Sequence, residues 1–277
     1  MEIFVLISTI DDGIRKVPEV LLSEEEGVRY VVSWQRTEGY KENTAKATIA
    51  LAGRRDVTVA TMEGRGLSRN RNHALEVAVD LLPHPLAEAI AIIADDDERL
   101  TPDAFARIRE AYASRPRLDI ALMRVRSSAD GSYLKPYPPS PVSYANRPRC
   151  YYPCSVEMTL RLRVWHAGLR FNERFGLGSP RLCAGEEDVF LHDAVRKGLN
   201  VMVLPIDIAT TDPMTTGGHV LDVKVLRSKG AVYGYEYNLP RAIIRSLREA
   251  MSLGVRHRRN PWHILRNLLY GVKYVRQ

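Results

Sequence analysis

The chain has 277 residues, 45% of them hydrophobic and 26% charged, which is material for one large α/β domain or two small ones. No run approaches the roughly 18 apolar residues of a membrane span, and three cysteines (Cys150, Cys154, Cys183) without paired C-x-x-C spacing give neither a disulfide framework nor a cysteine zinc module. The net charge of +7 is unevenly placed, because residues 220–277 hold 12 Lys and Arg against 3 Asp and Glu, leaving −2 on residues 1–219.

The opening "MEIFVLISTIDDG" has an acid at its second position and no cleavage site, so "IFVLIST" reads as a buried first strand, and the cysteine usage makes a reducing cytoplasm the default compartment. "YVVSW", "VTVA" and "AIIA" follow as short β-branched runs apolar on both faces, the pattern of strands covered on both sides. "KENTAKATIALAG" suits a helix between the second and third. After the third, Ser68 reads as a cap before the apolar stripe of Leu75, Ala78, Val79 and Leu82. Thr101, followed by Pro102 and Asp103, reads as the cap of the next helix, with Pro102 in its first turn. The alternation predicts a mostly parallel, Rossmann-like sheet with helices on both faces.

Further on, "LDIALMRV" reads as a strand. "SSADGSYLKPYPPSPVSYANRPRCYYPC" is a long excursion with a hairpin signal at Asp130-Gly131. "GEEDVFLHDAVRKGLNVMVLP" predicts a helix ended by Gly198 and a last short strand. The tail sets Ile243, Ile244, Leu247, Met251, Trp262, Leu265, Leu268 and Leu269 among arginines, predicting two basic amphipathic helices that either pack on the domain or meet an anionic membrane surface.

Three stretches carry chemistry. "AIIADDDERL" delivers Asp95, Asp96 and Asp97 to a sheet edge, where adjacent carboxylates need a cation and suit Mg²⁺ or Mn²⁺ shared with a diphosphate. "GRGLSRNRNHAL" lies upstream at a strand-to-helix turn, where backbone N–H groups and Arg65, Arg69 or Arg71 favour phosphate, without matching a P-loop or G-x-G-x-x-G. Glycines then place a turn before Glu186, Glu187 and Asp188, acids that suit either a helix N-terminus or catalysis.

With "FNERFG" between the two acid-bearing stretches, the sequence resembles a family 2 glycosyltransferase of the GT-A fold. "GLSRNRNHAL" aligns with that family's G-x-S-x-A-R-N-x-G pattern, with Asn70 and Ala74 at its alanine and last glycine positions, and "ADDDE" and "GEEDVF" come in the family's order. "TTDPMTTGGHVLDVKVLRSKGAVYG" further resembles a segment of bacterial capsule and surface-polysaccharide members. The resemblance implies Asp97 as metal ligand, Asp95 as ribose or metal contact and Asp96 as a further nucleotide contact. It places Arg71 and Asn72, with Arg65 nearby, toward the nucleotide, and Thr9 and Asp11 beside the base. Glu187 and Asp188 become the catalytic acid pair, with Asp188 the general base. His219 becomes a late metal or diphosphate ligand, or else a satisfied loop histidine. The family's turns after strands one and two are replaced by "STIDD" and "SWQRTEG", so UDP, GDP and dTDP all stay open.

The resulting expectation is an α/β GT-A catalytic domain over 1–219, with a nucleotide-sugar half (1–97) and an acceptor half (98–219), and a basic helical extension over 220–277. The expected enzyme is an inverting, Mn²⁺- or Mg²⁺-dependent transferase of hexosyl type acting on a saccharide or lipid-linked acceptor. It would work in surface-polysaccharide assembly, in the cytoplasm or at the inner face of the plasma membrane. The alternatives are a nucleotidyltransferase that makes a nucleotide sugar and a nucleic-acid-binding protein acting through the basic tail.

Overall fold

A computed structural model describes residues 1–40, 45–84, 87–148, 151–212 and 220–277. In chain order the elements are β1 (Glu2–Ile10), a 3-10 turn (Asp11–Arg15), α1 (Val17–Val20), β2 (Val28–Arg36), α2 (Ala45–Ala52), β3 (Val57–Glu63) and α3 (Leu67–Asp80). Next come β4 (Ala89–Asp95), β5 (Arg99–Leu100), α4 (Ala104–Ala113), β6 (Ile120–Ser127), β7 (Val142–Ser143), β8 (Met158–Arg161) and α5 (Arg163–His166). The chain ends with α6 (Glu186–Arg196), β9 (Val201–Thr211), α7 (Val223–Glu236), α8 (Leu239–His257) and α9 (Pro261–Val275). Two compact units result. The first comprises Met1–Arg65, Arg69–Arg170 and Asp193–Pro213, and the second Gly66–Ser68, Phe171–His192 and Met214–Gln277.

The first unit holds a single sheet, in which the described strands are ordered β3-β2-β1-β4-β8-β6-β9-β5 with β7 on β9. β3, β2, β1 and β4 run parallel. β8 lies antiparallel between β4 and β6, so β6 and β9 run with the first four, while β5, β7 and β8 oppose them. The apolar run Ile3–Ile7 of β1 is buried throughout, as a strand covered on both faces requires. The order reverses between β1 and β4, since β1 is followed by β2 on one side and β3 by β4 on the other. That reversal opens the crevice at the strands' C-terminal ends in which α/β sheets bind ligands.

Three local expectations are corrected. The last strand is not short, because β9 spans 11 residues. Its register on β6 jumps from Leu122↔Val203 to Arg124↔Asp207, a bulge that contains Pro205, a residue with no N–H to give to a ladder. Thr101 is not the cap of α4, whose N-cap is Asp103; the Thr101 hydroxyl instead donates to Asp103 Oδ1 at 2.9 Å. Ser68 lies inside α3, and its hydroxyl donates to Phe175 O at 2.8 Å rather than capping the helix. The Asp130-Gly131 turn forms as expected. Ser127 N donates to Ser132 O at 2.8 Å, and Gly131 adopts φ +71°, which glycine takes without a Cβ clash.

A buried ion pair anchors the long excursion that follows. Lys135 Nζ lies 2.6 Å from Glu157 Oε1, and both side chains are buried. Tyr137 and Tyr151 donate their hydroxyls to the two Glu157 oxygens at 2.7 and 2.6 Å. Burial raises the Glu157 pKa, and Lys135 and the two hydroxyls oppose that rise. Lys135 also donates to Tyr152 O.

Residues 220–277 of the second unit form three helices, α7, α8 and α9, where two were expected. α7 opens on an Asp222 N-cap that accepts from Lys224 N and Val225 N. It meets α9 at unusually close range, since a Cβ on Gly230 would overlap the Leu268 backbone and one on Gly271 would overlap the Arg227 backbone. Leu226, Leu253, Ile264, Leu268 and Val272 form the core between these helices.

Candidate active site

The site begins where β1 and β4 end side by side, with Ser8 in register opposite Asp95. One residue beyond, Thr9 Oγ1 donates to Asp96 Oδ2 at 2.6 Å, and Lys16 Nζ lies 3.5 Å from Asp96 Oδ1. Gly13, in the turn that carries Lys16, closes the arrangement: a Cβ there would sit 2.5 Å from Thr9 Oγ1 and overlap Asp96 Oδ2. Asn70, on the first turns of α3, donates Nδ2 to Thr9 O at 3.0 Å.

Arg71 is only 2% exposed, and its Nη2 lies 3.3 Å from Asp95 Oδ1. A guanidinium that deep needs a carboxylate partner, and the arrangement holds Asp95 by a charge-assisted bond. Glu98 is also 2% exposed. Burial first, then repulsion from Asp95, pushes its pKa well above the usual carboxylate range, which favours the protonated acid. Asp97 is exposed on the turn after β4; partial desolvation and then repulsion from Asp95 and Asp96 raise its pKa.

These groups fit a hard divalent cation. Asp96 is occupied by Thr9 and Lys16, whereas Asp95 and Asp97 present carboxylates whose mutual repulsion a cation would relieve. Among the described residues no three His, Cys, Asp or Glu side chains form a ready cage. Mg²⁺-type sites commonly use one or two carboxylates and take the remaining ligands from phosphate and water.

Asp11 sits just past β1 in the left-handed region, φ +47°. Its carboxylate accepts from Thr37 N and Thr37 Oγ1, both at 2.8 Å, and its carbonyl accepts from Trp34 Nε1 at 2.9 Å. It therefore fastens the end of β2 to the end of β1. Trp34 in turn packs edge-on against Tyr40, ring centroids 6.2 Å apart, with Arg36 stacked on it. On α3, Asn72 is half-buried, and His73 Nδ1 lies 2.7 Å from Ser33 Oγ. Arg65 and Arg69 are exposed in the strand-to-helix turn.

The second unit brings three of the sequence stretches together. Leu67 N donates to Leu177 O at 2.8 Å beside the Ser68–Phe175 bond, so "GLS" is stitched to "FNERFGLG". Gly176, φ +98°, is packed so closely that a Cβ would lie 3.1 Å from Ser68 Oγ and 3.2 Å from Glu186 Cδ. Glu186 is buried, and Glu187 and Asp188 are half-buried on the first turn of α6. The stacked rings of Phe171 and Phe190, 4.1 Å apart, hold that turn to the "FNERFG" stretch. His219 lies outside the described residues.

Asn70, Lys16, Gly13 and Glu98 also stand at this sheet edge, and no sequence signal singled them out. Asn70 lies one position before Arg71 in "GRGLSRNRNHAL". Gly13 and Lys16 fall in "TIDDGIRK", where the chain departs from the family pattern, so only the fold brings them to the site.

No family model matches the chain, and no curated protein matches it in sequence. Solved structures match its fold. The mannosyltransferase PcManGT from Pyrobaculum calidifontis, in complex with GDP-Man and Mn²⁺, superposes with a TM-score of 0.56 at 12% identity over 99% of this chain and 86% of its own. Glucosyl-3-phosphoglycerate synthase from Mycobacterium tuberculosis, in complex with Mn²⁺, UDP-Glc and phosphoglyceric acid, gives 0.51 at 15% identity over 87% and 79%. GalNAc-T7 with UDP, GalNAc and Mn²⁺ gives 0.58 at 11% identity over 90% of this chain and 51% of its own. The fold is GT-A. The expected α/β architecture, a mostly parallel sheet with helices, is therefore the observed one.

Proposed function

We propose that the chain is a metal-dependent, inverting glycosyltransferase of the family 2 type. It would move a sugar from a nucleotide sugar to a hydroxyl of a saccharide or lipid-linked acceptor in surface-polysaccharide assembly. The observation that carries the reading is the buried Arg71 guanidinium holding Asp95 at the β1/β4 crevice, beside a tied Asp96 and an exposed Asp97. The complexes of the mannosyltransferase and the synthase with a nucleotide sugar and Mn²⁺ support the donor class.

In this reading Asp97 and Asp95 hold Mn²⁺ or Mg²⁺, which when bound neutralises the charge growing on the departing nucleoside diphosphate. Arg71 orients Asp95, and Thr9 and Lys16 keep Asp96 from competing for the ion. Asp11 shapes the base end by fixing Thr37 and Trp34, while the sequence resemblance assigns Asn72 to the nucleotide and the strand-to-helix turn offers the exposed Arg65 to phosphate. The same resemblance assigns Asp188 as the general base, with Glu187 beside it. Asp188 takes the proton of the acceptor hydroxyl as its oxygen bonds to the anomeric carbon. The bond to the diphosphate breaks with its electron pair, and the centre inverts. A general base of this kind contributes about 10²–10⁴-fold in rate.

A thermal-shift panel of nucleotide sugars with and without Mn²⁺ tests the reading, because a ligand at 100 times its Kd stabilises the fold by about 2.7 kcal/mol. The expected result is one donor that raises Tm only with the ion. Pyrophosphate released from a nucleoside triphosphate and sugar phosphate would replace the reading with nucleotidyl transfer.

A further inference from the structure

α8 turns its small residues inward and its large apolar residues outward. Ala242, Ser246, Ala250 and Gly254 recur every fourth residue and are buried, with Leu253 beside them. Ser246 returns its hydroxyl to Ala242 O at 2.8 Å, and Gly254 leaves room for Pro261. Ile243, Ile244, Leu247, Met251 and Val255 are instead 42% to 79% exposed. At 3.6 residues per turn they form one row, which from Ile243 to Val255 runs about 18 Å along the helix. Trp262, 68% exposed, follows at the start of α9.

The next row around α8 is arginine. Arg241, Arg245 and Arg248 occupy it, and Arg256, Arg258 and Arg259 continue the charge past the helix end. Between residues 238 and 260 the six arginines meet one carboxylate, Glu249, which is paired with Lys229. Aliphatic residues, one exposed tryptophan and positive charge without balancing acids match the interface of an anionic bilayer, where apolar groups enter the acyl boundary and guanidinium groups meet lipid phosphate. No described helix is long and apolar enough to cross a membrane, so α8 would lie along the surface.

We propose that the outer face of α8, continued by Trp262, docks the chain on an anionic phospholipid surface. The proposal stands independently of the transferase reading, since neither the acids of β4 nor those of α6 take part. It sharpens the sequence expectation for the tail, because α9 buries Ile264, Leu268, Val272 and Val275 and leaves the docking face to α8.

The test is co-sedimentation of the full chain with phosphatidylcholine vesicles and with vesicles containing one-third phosphatidylglycerol. The native chain is expected to pellet with the anionic vesicles and to be released by salt. Ile244→Gln/Leu247→Gln/Met251→Gln should abolish pelleting, and Arg241→Gln/Arg248→Gln should weaken it by about thirtyfold. All three substituted apolar side chains are exposed, so an unchanged Tm certifies the fold. A native chain that ignores anionic vesicles at low salt would overturn the proposal, as would a triple variant that pellets like the native chain. A lipid-free dimer dissociated by the triple variant would overturn it in favour of an interface between copies.

Discussion

The Nη2 atom of Arg71 lies 3.3 Å from Asp95 Oδ1, joining a fully buried guanidinium on α3 to the last residue of β4. Removing the guanidinium leaves Asp95 without its cation. We expect Arg71→Met to cost about 1.5–3 kcal/mol, the range for a hydrogen bond to a charged group, and to weaken Mn²⁺ binding. Arg71→Lys should restore part of the stability and little of the metal affinity, because an ammonium keeps the charge without the planar fork. Urea unfolding and Mn²⁺ titration of the two variants measure this.

Gly13→Ala separates the site from the fold. The added methyl meets the ends of the Thr9 and Asp96 side chains rather than backbone, so those side chains can swing away while the sheet persists. The expected variant has a Tm within a few degrees of native but a broken Thr9–Asp96 bond and weaker metal-dependent nucleotide binding. A native-like affinity for nucleotide sugar would show that this bond has no part in the site.

Much of this architecture was legible because β1 and β4 are continuous apolar runs too short for helices, ending in residues that no core accepts. β5, β7 and β8 were not, since two to four residues carry no period and their antiparallel places depend on partners far along the chain. Ser68 looked like a cap because a hydroxyl ahead of an apolar stripe usually is one. Its true partner, the Phe175 carbonyl, is 107 residues away. The depth of Arg71 was hidden because arginine is normally exposed, and periodicity could not tell which apolar residues of α8 face inward, since its small residues take the interior.

The Lys135–Glu157 pair makes a prediction about stability alone. Lys135→Met leaves a buried carboxylate supported, among the described residues, by Tyr137 and Tyr151, and breaking such a pair costs about 3–5 kcal/mol. Lys135→Met/Glu157→Gln should recover part of that loss, because a neutral amide keeps hydrogen-bond partners for the Tyr137 and Tyr151 hydroxyls without leaving a desolvated charge. Denaturant midpoints of the native, single and double variants check it; a double variant no more stable than the single would contradict it.

For the second unit, Asp188→Asn is expected to keep native donor affinity and stability while transfer slows by about 10²–10⁴-fold. Glu187→Gln, one position earlier on the same turn, should lose less. Transfer assays at saturating donor, run beside donor titrations, distinguish a lost base from a lost fold. Native-rate transfer by Asp188→Asn would take the base role from this residue.

The central claim is that the Asp95–Asp97 edge binds a nucleotide sugar through a divalent ion. Its most direct test is calorimetric titration of the donor selected by thermal shift into the native chain and into Asp97→Asn, each with Mn²⁺ and with chelator. The account predicts binding only to the native chain with Mn²⁺. Equal donor affinity in all four titrations would contradict it.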